Sequence, residues 1–198
     1  MTQSFPRPVR LTRAEIETHI DHVLAAPKDR GRVELIVRRP AVNAREVITE
    51  GELDREQGLR GDNWLTRGSS RTDTGLGHPE MQLNVMNYRF AMLIAGSRER
   101  VPLAGNQLFV DLNLSGENLP PGTRLSIGDA IIEVTAIPHT GCKKFVERFG
   151  LDAMKFANSE FGRRHSLRGI NAKVIEPGKV RTGDAVVVTS RPLAVGSH

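Results

Sequence analysis

Helical periodicity is clearest near the start of the chain, in residues 11–26 (LTRAEIETHIDHVLAA). Apolar residues recur there at helical spacing, at Ile16, Ile20, Val23 and Leu24. Thr12 and Glu15 match a capping box, in which each side chain accepts a free backbone N–H at the helix start. The pattern predicts one amphipathic helix, which Pro27 ends because proline cannot continue it.

The other apolar stretches are short, and most alternate with polar residues or are rich in β-branched residues, as strands are. They predict strands in residues 31–40, 45–53, 82–87 and 107–114, two strands around a Gly-Asp turn in 124–138, and three in 171–190. Short helices are predicted in residues 87–96, 143–150 and 152–162. Asn87 and Asp152 are the expected N-caps of the first and third, and Gly96 follows the end of the first.

Residues 58–79 contain glycines, serines and charges but no hydrophobic period, so they predict a long loop, and loops of this length are often functional. Many short strands, turn residues between them and few long helices are typical of a mainly β domain. A closed barrel removes exposed sheet edges. We therefore predict a mainly β fold, a β-barrel with a few short peripheral helices.

The composition narrows the class of partner. The 198 residues carry a net charge of +5, which attracts nucleic acid, acidic lipid or phosphorylated small molecules. Aromatic residues make up only 5% and the basic residues are dispersed, which argues against nucleic acid and favours local anion pockets. There is no apolar run long enough for a membrane span, no signal-peptide pattern and only one cysteine, so we predict no membrane partner and a cytoplasmic location.

The single cysteine, Cys142, lies three residues after His139 and directly before Lys143 and Lys144. Neighbouring cations favour the thiolate, which is a nucleophile and a soft metal ligand. Cys142 is therefore a candidate catalytic residue and metal ligand, with a small buried apolar role as the alternative. His139 is a candidate acid–base group, a supporting hydrogen-bond donor or a polar residue at a strand end. Lys143 is the candidate cation beside the sulfur.

Six stretches, in order along the chain, resemble the MOSC domain family, named after the C-terminal domain of molybdenum cofactor sulfurases. They are GLRGDNW (58–64), LSGENL (114–119), SIGDA (126–130), HTGCKKF (139–145), LRGINAKV (167–174) and VRTGDAVVV (180–188). The resemblance implies a MOSC-type β-barrel domain over residues 31–190. Residues 1–30 are then an N-terminal helical extension and residues 191–198 a flexible tail.

The resemblance also implies chemistry. Cys142 matches the family cysteine, which carries sulfur or ligates molybdenum, although this chain has His139-Thr140-Gly141 where the family often has an arginine and a proline. Members of known chemistry handle sulfur for the molybdenum cofactor or reduce N-hydroxylated compounds with it. The implied cofactor is therefore molybdopterin-bound molybdenum, whose phosphate and oxygen atoms suit arginine and lysine donors.

Five further residues are candidates for binding this anionic cofactor. Asp62 orients the cofactor or caps its own loop, and Trp64 covers a flat pterin or anchors the core. Arg168 binds a phosphate or forms a surface ion pair. Glu117 and Asn118 offer a carboxylate and an amide to the cofactor, or satisfy a tight turn.

Two functional hypotheses follow. The first is a cytoplasmic MOSC-like protein that binds molybdenum cofactor, or carries sulfur for it, through Cys142. Reduction of N-hydroxylated compounds belongs to this hypothesis and requires an electron-donor protein, because the sequence has no flavin, nicotinamide or iron–sulfur motif. The carrier version requires a sulfur-donor protein. The alternative is a non-catalytic β-barrel module that binds an anionic small molecule or a protein partner.

Overall fold

Short strands and helices make up the described part of the chain, which is residues 9–69, 71–141 and 143–193 of a computed structural model. The strands are β1 (Arg30–Arg38), β2 (Glu46–Ile48), β3 (Glu50–Asp54), β4 (Gly58–Leu59), β5 (Leu83–Asn87), β6 (Leu108–Asp111), β7 (Arg124–Ile127), β8 (Ala130–Val134), β9 (Ile170–Glu176), β10 (Gly178–Arg181) and β11 (Ala185–Ser190). The α-helices are α1 (Arg13–Leu24), α2 (Trp64–Arg67), α3 (Tyr88–Ala95), α4 (Lys143–Phe149), α5 (Leu151–Asn158) and α6 (Glu160–Arg164), and the 3₁₀ helices are Pro79–Met81 and Arg98–Ala104. None of these helices is long and apolar enough to cross a bilayer.

Seven strands form a closed barrel in the order β11, β7, β8, β9, β5, β6, β1, and β1 pairs again with β11. Closure is possible because residues 30–32 at the start of β1 face β11, while residues 32–36 face β6. β5 and β6 run parallel, and the other neighbouring strands are antiparallel. β2 extends the sheet beyond β1, and β10, β3 and β4 form a separate small sheet. The predicted mainly β fold with a closed barrel is confirmed.

The barrel interior is a packed aliphatic core. Alternate residues of β8 are buried, as expected when successive side chains of a strand point to opposite faces. The core includes Val33, Ile36, Leu83, Val85, Leu108, Val110, Leu125, Ile127, Ile132 and Val174. Because these aliphatic side chains fill the interior, the barrel core has no space for a ligand, and a binding site is expected outside it.

The helices form a second apolar layer outside the barrel. On β1, β5 and β6 the residues that face away from the interior belong to this layer, together with aromatic residues of the helices: Leu35, Val37, Met86, Phe109, Phe90, Phe145, Phe149 and Phe156. Ile16 of α1 is fully buried in the same layer. The predicted capping box is present, with Thr12 N donating to Glu15 Oε2 at 2.7 Å and Glu15 N donating to Thr12 Oγ1 at 3.3 Å. α1 ends at Leu24, slightly before the predicted boundary.

The predicted caps of two helices have different outcomes. Asn87 caps α3 through its side chain, and Gly96 ends that helix with a φ of 72°, so both predictions are confirmed. The predicted cap of α5 is wrong. Gly150 precedes the helix, while Asp152 lies inside its first turn and accepts a hydrogen bond from Arg13 N at 3.3 Å. A residue that is itself helical is past the capping position, so Asp152 cannot cap α5. Its hydrogen bond to Arg13 N instead links α5 to α1.

The single strand predicted for residues 45–53 is two strands in different sheets. β2 pairs with β1, whereas β3 pairs with β10. Gly51 of β3 packs closely against β4, because a Cβ atom there would lie 2.7 Å from Leu59 Cδ1. The predicted loop over residues 58–79 is correct for most of its length, but it begins with β4 and contains the single turn of α2.

Candidate anionic-cofactor site

Loops at one end of the barrel enclose a cavity of about 230 Å³, here called the cationic cavity. Six of its lining residues are arginine or lysine: Arg39, Arg45, Arg67, Lys144, Arg148 and Arg168. No acidic residue is among the described residues that line it. These six cations come from four separate parts of the sequence, so the fold itself concentrates the positive charge.

Arg39 has a buried counter-ion, Asp62. Asp62 receives Arg39 Nε at 2.8 Å and Nη2 at 2.8 Å, and the two side chains are 3% and 0% exposed. Arg39 Nη1 also donates to Asn84 Oδ1 at 3.2 Å and to the Gly105 carbonyl at 2.8 Å. Such a bidentate pair is rigid and is costly to break when buried. Asp62 therefore fixes Arg39 in the cavity wall without lining the cavity.

The other cations are less well compensated. Arg45, Arg67, Lys144 and Arg148 form no ion pair with any described residue. Burial, followed by repulsion from Arg148 and Arg39, lowers the pKa of Arg45 to about 10. Burial, followed by repulsion from Arg39, also lowers the pKa of Arg67. Guanidinium groups remain charged at neutral pH, so the cations of the cavity repel one another.

Gly105 marks a gap between two of these guanidiniums. A Cβ atom built on this glycine would lie 3.4 Å from Arg45 Nη2 and 3.9 Å from Arg148 Nη1. Its φ of 83° is in the left-handed region that favours glycine. Arg45 Nε and Asn63 Oδ1, also in the cavity lining, are buried and have no hydrogen-bond partner among the described residues. The cavity thus offers an unused donor and an unused acceptor beside converging positive charge.

His139 and Arg168 form the wall on the side of the chain that leads to Cys142. Arg168 Nη1 donates to Asn106 Oδ1 at 2.6 Å, Nη2 donates to the Ala104 carbonyl at 3.0 Å, and the guanidinium lies 4.8 Å from the centre of the Phe145 ring. Burial, followed by repulsion from nearby arginines, holds the pKa of His139 well below 6.5, so its ring is neutral at pH 7. Its buried Nδ1 has no hydrogen-bond partner among the described residues.

Behind this wall lies a second cavity of about 180 Å³, here called the apolar chamber. His139, Thr140 and Arg168 line both cavities, so these residues form a wall that the two spaces share. The remaining lining is mostly aliphatic side chains and glycines, in contrast to the cationic cavity.

The sequence profile described as "MOSC domain" matches residues 74–187, which is more than half of the chain. The chain belongs to the MOSC domain family. MOSC domains are associated with proteins of the molybdenum cofactor, such as the cofactor sulfurases. Arg39, Arg45 and Arg67 precede the matched segment, so part of the cationic cavity is built by residues outside it.

Solved structures with the same fold agree with this assignment. The YuaD protein from Bacillus subtilis superposes with a TM-score of 0.62 at 17% identity, over 82% of this chain and 97% of that chain. YiiM from Escherichia coli superposes with a TM-score of 0.53 at 24% identity, over 81% of this chain and 71% of that chain. At these identities the likeness establishes the fold alone. No curated protein matches the chain.

Within this MOSC domain, the predicted residues of the sulfur site are placed differently. Cys142 lies outside the described residues, but Thr140 before it and Lys144 after it line the cationic cavity. His139 also lines the cavity. Lys143 is exposed and is absent from the lining. Successive helical residues point about 100° apart, and on α4 it is Lys144, with Arg148 one turn later, that faces the cavity.

Of the five predicted cofactor contacts, Arg168 is among the described residues that line the cationic cavity, where it is buried, and the other four are not. Asp62 acts through Arg39, and Trp64 is 4% exposed and packs in the core. Glu117 is exposed outside both cavities.

Asn118 lies outside the lining of both cavities, and its amide group is engaged within the fold. Its Nδ2 donates to the Lys28 and Asn113 carbonyls, both at 2.8 Å, and its Oδ1 accepts from Arg191 Nη2 at 2.9 Å. These bonds tie the 114–119 loop to the two neighbouring segments. The amide thus serves the loop itself, which is the alternative role named from the sequence, and a cofactor contact of Asn118 stays a prediction.

Sequence reasoning missed the other cations of the site, which are Arg39, Arg45, Arg67, Lys144 and Arg148. The spacing of Lys144 and Arg148 carried a usable signal, because residues four apart lie on one helix face. The three arginines from the first third of the chain gave no such signal, since only barrel closure brings their loops together.

Proposed function

We propose that this MOSC domain binds the molybdenum cofactor in the cationic cavity. The observation that supports the proposal is the set of four cations without ion-pair partners among the described residues, Arg45, Arg67, Lys144 and Arg148, next to the segment that contains Cys142. The cofactor carries a phosphate and an oxygen-rich metal centre, and guanidinium groups bind both through charge-assisted hydrogen bonds. A ligand of this charge would relieve the repulsion that lowers the pKa of Arg45.

The residues present fit such a ligand. Arg45 and Arg148 flank the gap at Gly105, which makes them the candidate phosphate ligands. The unused Asn63 Oδ1 is the candidate acceptor for an N–H of the pterin. Arg39, held by Asp62, supplies a fixed positive charge. When bound, the cofactor supplies two-electron oxidation and reduction, and these residues bind and orient it.

Cys142 is the proposed thiolate of the site, as metal ligand or as sulfur carrier. Cations favour the ionised thiol, and Lys144 and Arg168 both line the cavity that the neighbouring Thr140 also lines. The neutral His139 is the proposed proton acceptor of the wall. Reduction of N-hydroxylated compounds stays part of this proposal and requires a separate electron-donor protein; sulfur transfer requires a sulfur donor.

A non-catalytic module that binds an anionic small molecule is the second candidate. The same cavity supports it, because the arginines attract anions whether or not the cysteine is reactive. The two candidates differ in what Cys142 does. In the second, replacing the thiol leaves binding of the anion unchanged.

The test is expression of the full chain in a host that makes molybdenum cofactor, followed by elemental analysis for molybdenum and fluorescence of the oxidised pterin. We expect both signals in the wild type, loss of molybdenum in Cys142→Ser, and loss of both signals in the double variant Arg45→Gln/Arg148→Gln. Arg30→Gln, at an exposed position at the start of β1, is the matched control and should retain both. Equal molybdenum in wild type and Cys142→Ser would remove the thiolate as ligand, and no pterin in the wild type would reject the proposed function.

A further inference from the structure

The apolar chamber is a second, chemically different space against the wall of the cationic cavity. Three residues, His139, Thr140 and Arg168, belong to both linings. A molecule in the apolar chamber would therefore contact the same wall residues as a ligand of the cationic cavity. This arrangement allows two ligands to be held side by side.

The lining of the apolar chamber selects an apolar molecule. Most of the lining is aliphatic or glycine: Gly116, Leu119, Pro121, Val134, Ala136, Ile137, Pro138, Ala157, Gly162, Gly169 and Ile170. Burial of apolar ligand surface against such side chains is favourable, and no hydrogen bond is lost there. Arg163 and Arg168 also line it, and no acidic residue does so among the described residues, which disfavours a cationic ligand.

The volume limits the size of the ligand. An apolar cavity of about 150 Å³ is known to bind benzene. At about 180 Å³ the apolar chamber is slightly larger, so it has space for one six-membered ring with a small substituent. A bicyclic or longer molecule would have to extend beyond it.

His139 supplies the polar contact of the apolar chamber. Its Nδ1 is buried and has no hydrogen-bond partner among the described residues, and such an orphan is costly unless a ligand or water satisfies it. The amide side chain of Asn171 also lines the apolar chamber, but it is already hydrogen-bonded. Its Nδ2 donates to the Ile137 carbonyl at 2.9 Å, and its Oδ1 accepts from Asn84 Nδ2 at 2.6 Å. The unsatisfied group is thus at the wall shared with the cationic cavity.

We propose that the apolar chamber binds a small, mostly apolar, uncharged molecule of about one ring, whose polar substituent hydrogen-bonds to His139 at the shared wall. That this bound molecule is a co-substrate rests on the proposed function of the cationic cavity. That the apolar chamber binds the molecule does not depend on that function. The ring would lie among Val134, Ile137 and Ile170, and its polar group would point to the wall.

Phenol, toluene and benzylammonium are the probes, and the protein is prepared without molybdenum cofactor. Binding is measured by titration with amide shifts recorded by NMR. We expect phenol to bind more tightly than toluene and to shift the amide signals of Ile137, Ala157 and Ile170. Benzylammonium should not bind. Shifts confined to residues outside the apolar chamber, or none at all, would overturn the proposal.

Two variants sharpen the test. Gly116 has room for a side chain, because a Cβ there would meet only the Arg164 carbonyl at 3.9 Å, so Gly116→Leu should fold while narrowing the apolar chamber. We expect it to weaken phenol binding about tenfold or more, whereas Ala14→Leu, which adds the same bulk at an exposed position of α1, should not. Equal phenol affinity in Gly116→Leu and Ala14→Leu contradicts the proposal.

His139→Leu removes the ring nitrogen and keeps an apolar side chain. It should abolish the preference for phenol over toluene while toluene still binds, and an unchanged preference would exclude the hydrogen bond to His139. Every measurement here uses cofactor-free protein. If the protein does not bind molybdenum cofactor, these binding results therefore remain valid. If the apolar chamber does not bind phenol, the cofactor experiment remains a valid test of the proposed function.

Discussion

Replacing Arg45 with glutamine should stabilise the ligand-free protein. Burial, followed by repulsion from neighbouring arginines, lowers the pKa of Arg45 from its usual value to about 10, so the folded state disfavours its charged form. Since one pKa unit corresponds to about 1.4 kcal/mol, the upper limit of this cost is about 3.5 kcal/mol. Part of the side chain is exposed and screened, so we take about half, about 1–2 kcal/mol. At neutral pH the arginine is charged in the folded and unfolded states, so this destabilisation of about 1–2 kcal/mol is present across the neutral pH range.

The expected gain in Arg45→Gln is about 2–8 °C in Tm for a chain of this length. It should be largest at low salt and shrink at high salt, because dissolved ions screen the repulsion. Inorganic phosphate should reverse the order of stability, since an anion bound by Arg45 and Arg148 stabilises the wild type more than the variant. Arg30→Gln, which removes an exposed charge outside the cavity, should change neither Tm nor the response to phosphate.

The measurement is thermal and urea unfolding in phosphate-free buffer at two salt concentrations, followed by a phosphate titration. If Arg45→Gln is less stable than the wild type at low salt and phosphate raises both Tm values equally, Arg45 is not held against repulsion. The cationic cavity would then not be an anion site.

Three further predictions concern the same wall. Asp62→Asn leaves Arg39 buried without its counter-charge, so unfolding in urea should show a loss of about 3–5 kcal/mol; a loss below about 1 kcal/mol contradicts this role. The pKa of His139 lies well below 6.5 in the folded state, so below that pH the unfolded chain binds more protons and stability falls as pH falls, by up to about 1.4 kcal/mol per pH unit. His139→Gln should have a shallower loss between about pH 7 and pH 5 in urea titrations, and an equal slope would refute it. Lys144→Gln should weaken phosphate binding about two- to fivefold and Lys143→Gln should not; equal effects in calorimetry would contradict the assigned helix face.

The barrel could be predicted from sequence because its signals are local. The alternation along β8 and the turn residues between β7 and β8 determine strand and turn without reference to the rest of the chain. The cap at Asn87 is likewise a matter of a few neighbouring residues. The change of sheet has no such local signal: residues 45–53 have the pattern of one strand, although β2 pairs with β1 and β3 pairs with β10.

The site was harder to predict because its parts are distant in sequence. Asp62 was singled out from its loop, but its partner Arg39 is on another segment, and the pair exists only after the barrel closes. Lys143 is predicted from its adjacency to Cys142, whereas helix geometry brings Lys144 into the cavity lining. Phe145 and Phe149 of α4 face the core, which determines that Lys144 and Arg148 lie along the cavity.

The contrast between paired and unpaired cations is the strongest argument that the cationic cavity is functional. Elsewhere, exposed arginines such as Arg60 and Arg181 have carboxylates within 4 Å. Exposed ion pairs of this kind change the free energy of unfolding little. At the cavity, one buried carboxylate, Asp62, pairs with Arg39. Arg45 and Arg148 lie on either side of the gap at Gly105 with no ion-pair partner among the described residues. A purely structural cluster would be more stable with neutral residues at these positions. The repulsion is therefore best explained by an anionic ligand that binds between them and offsets its cost.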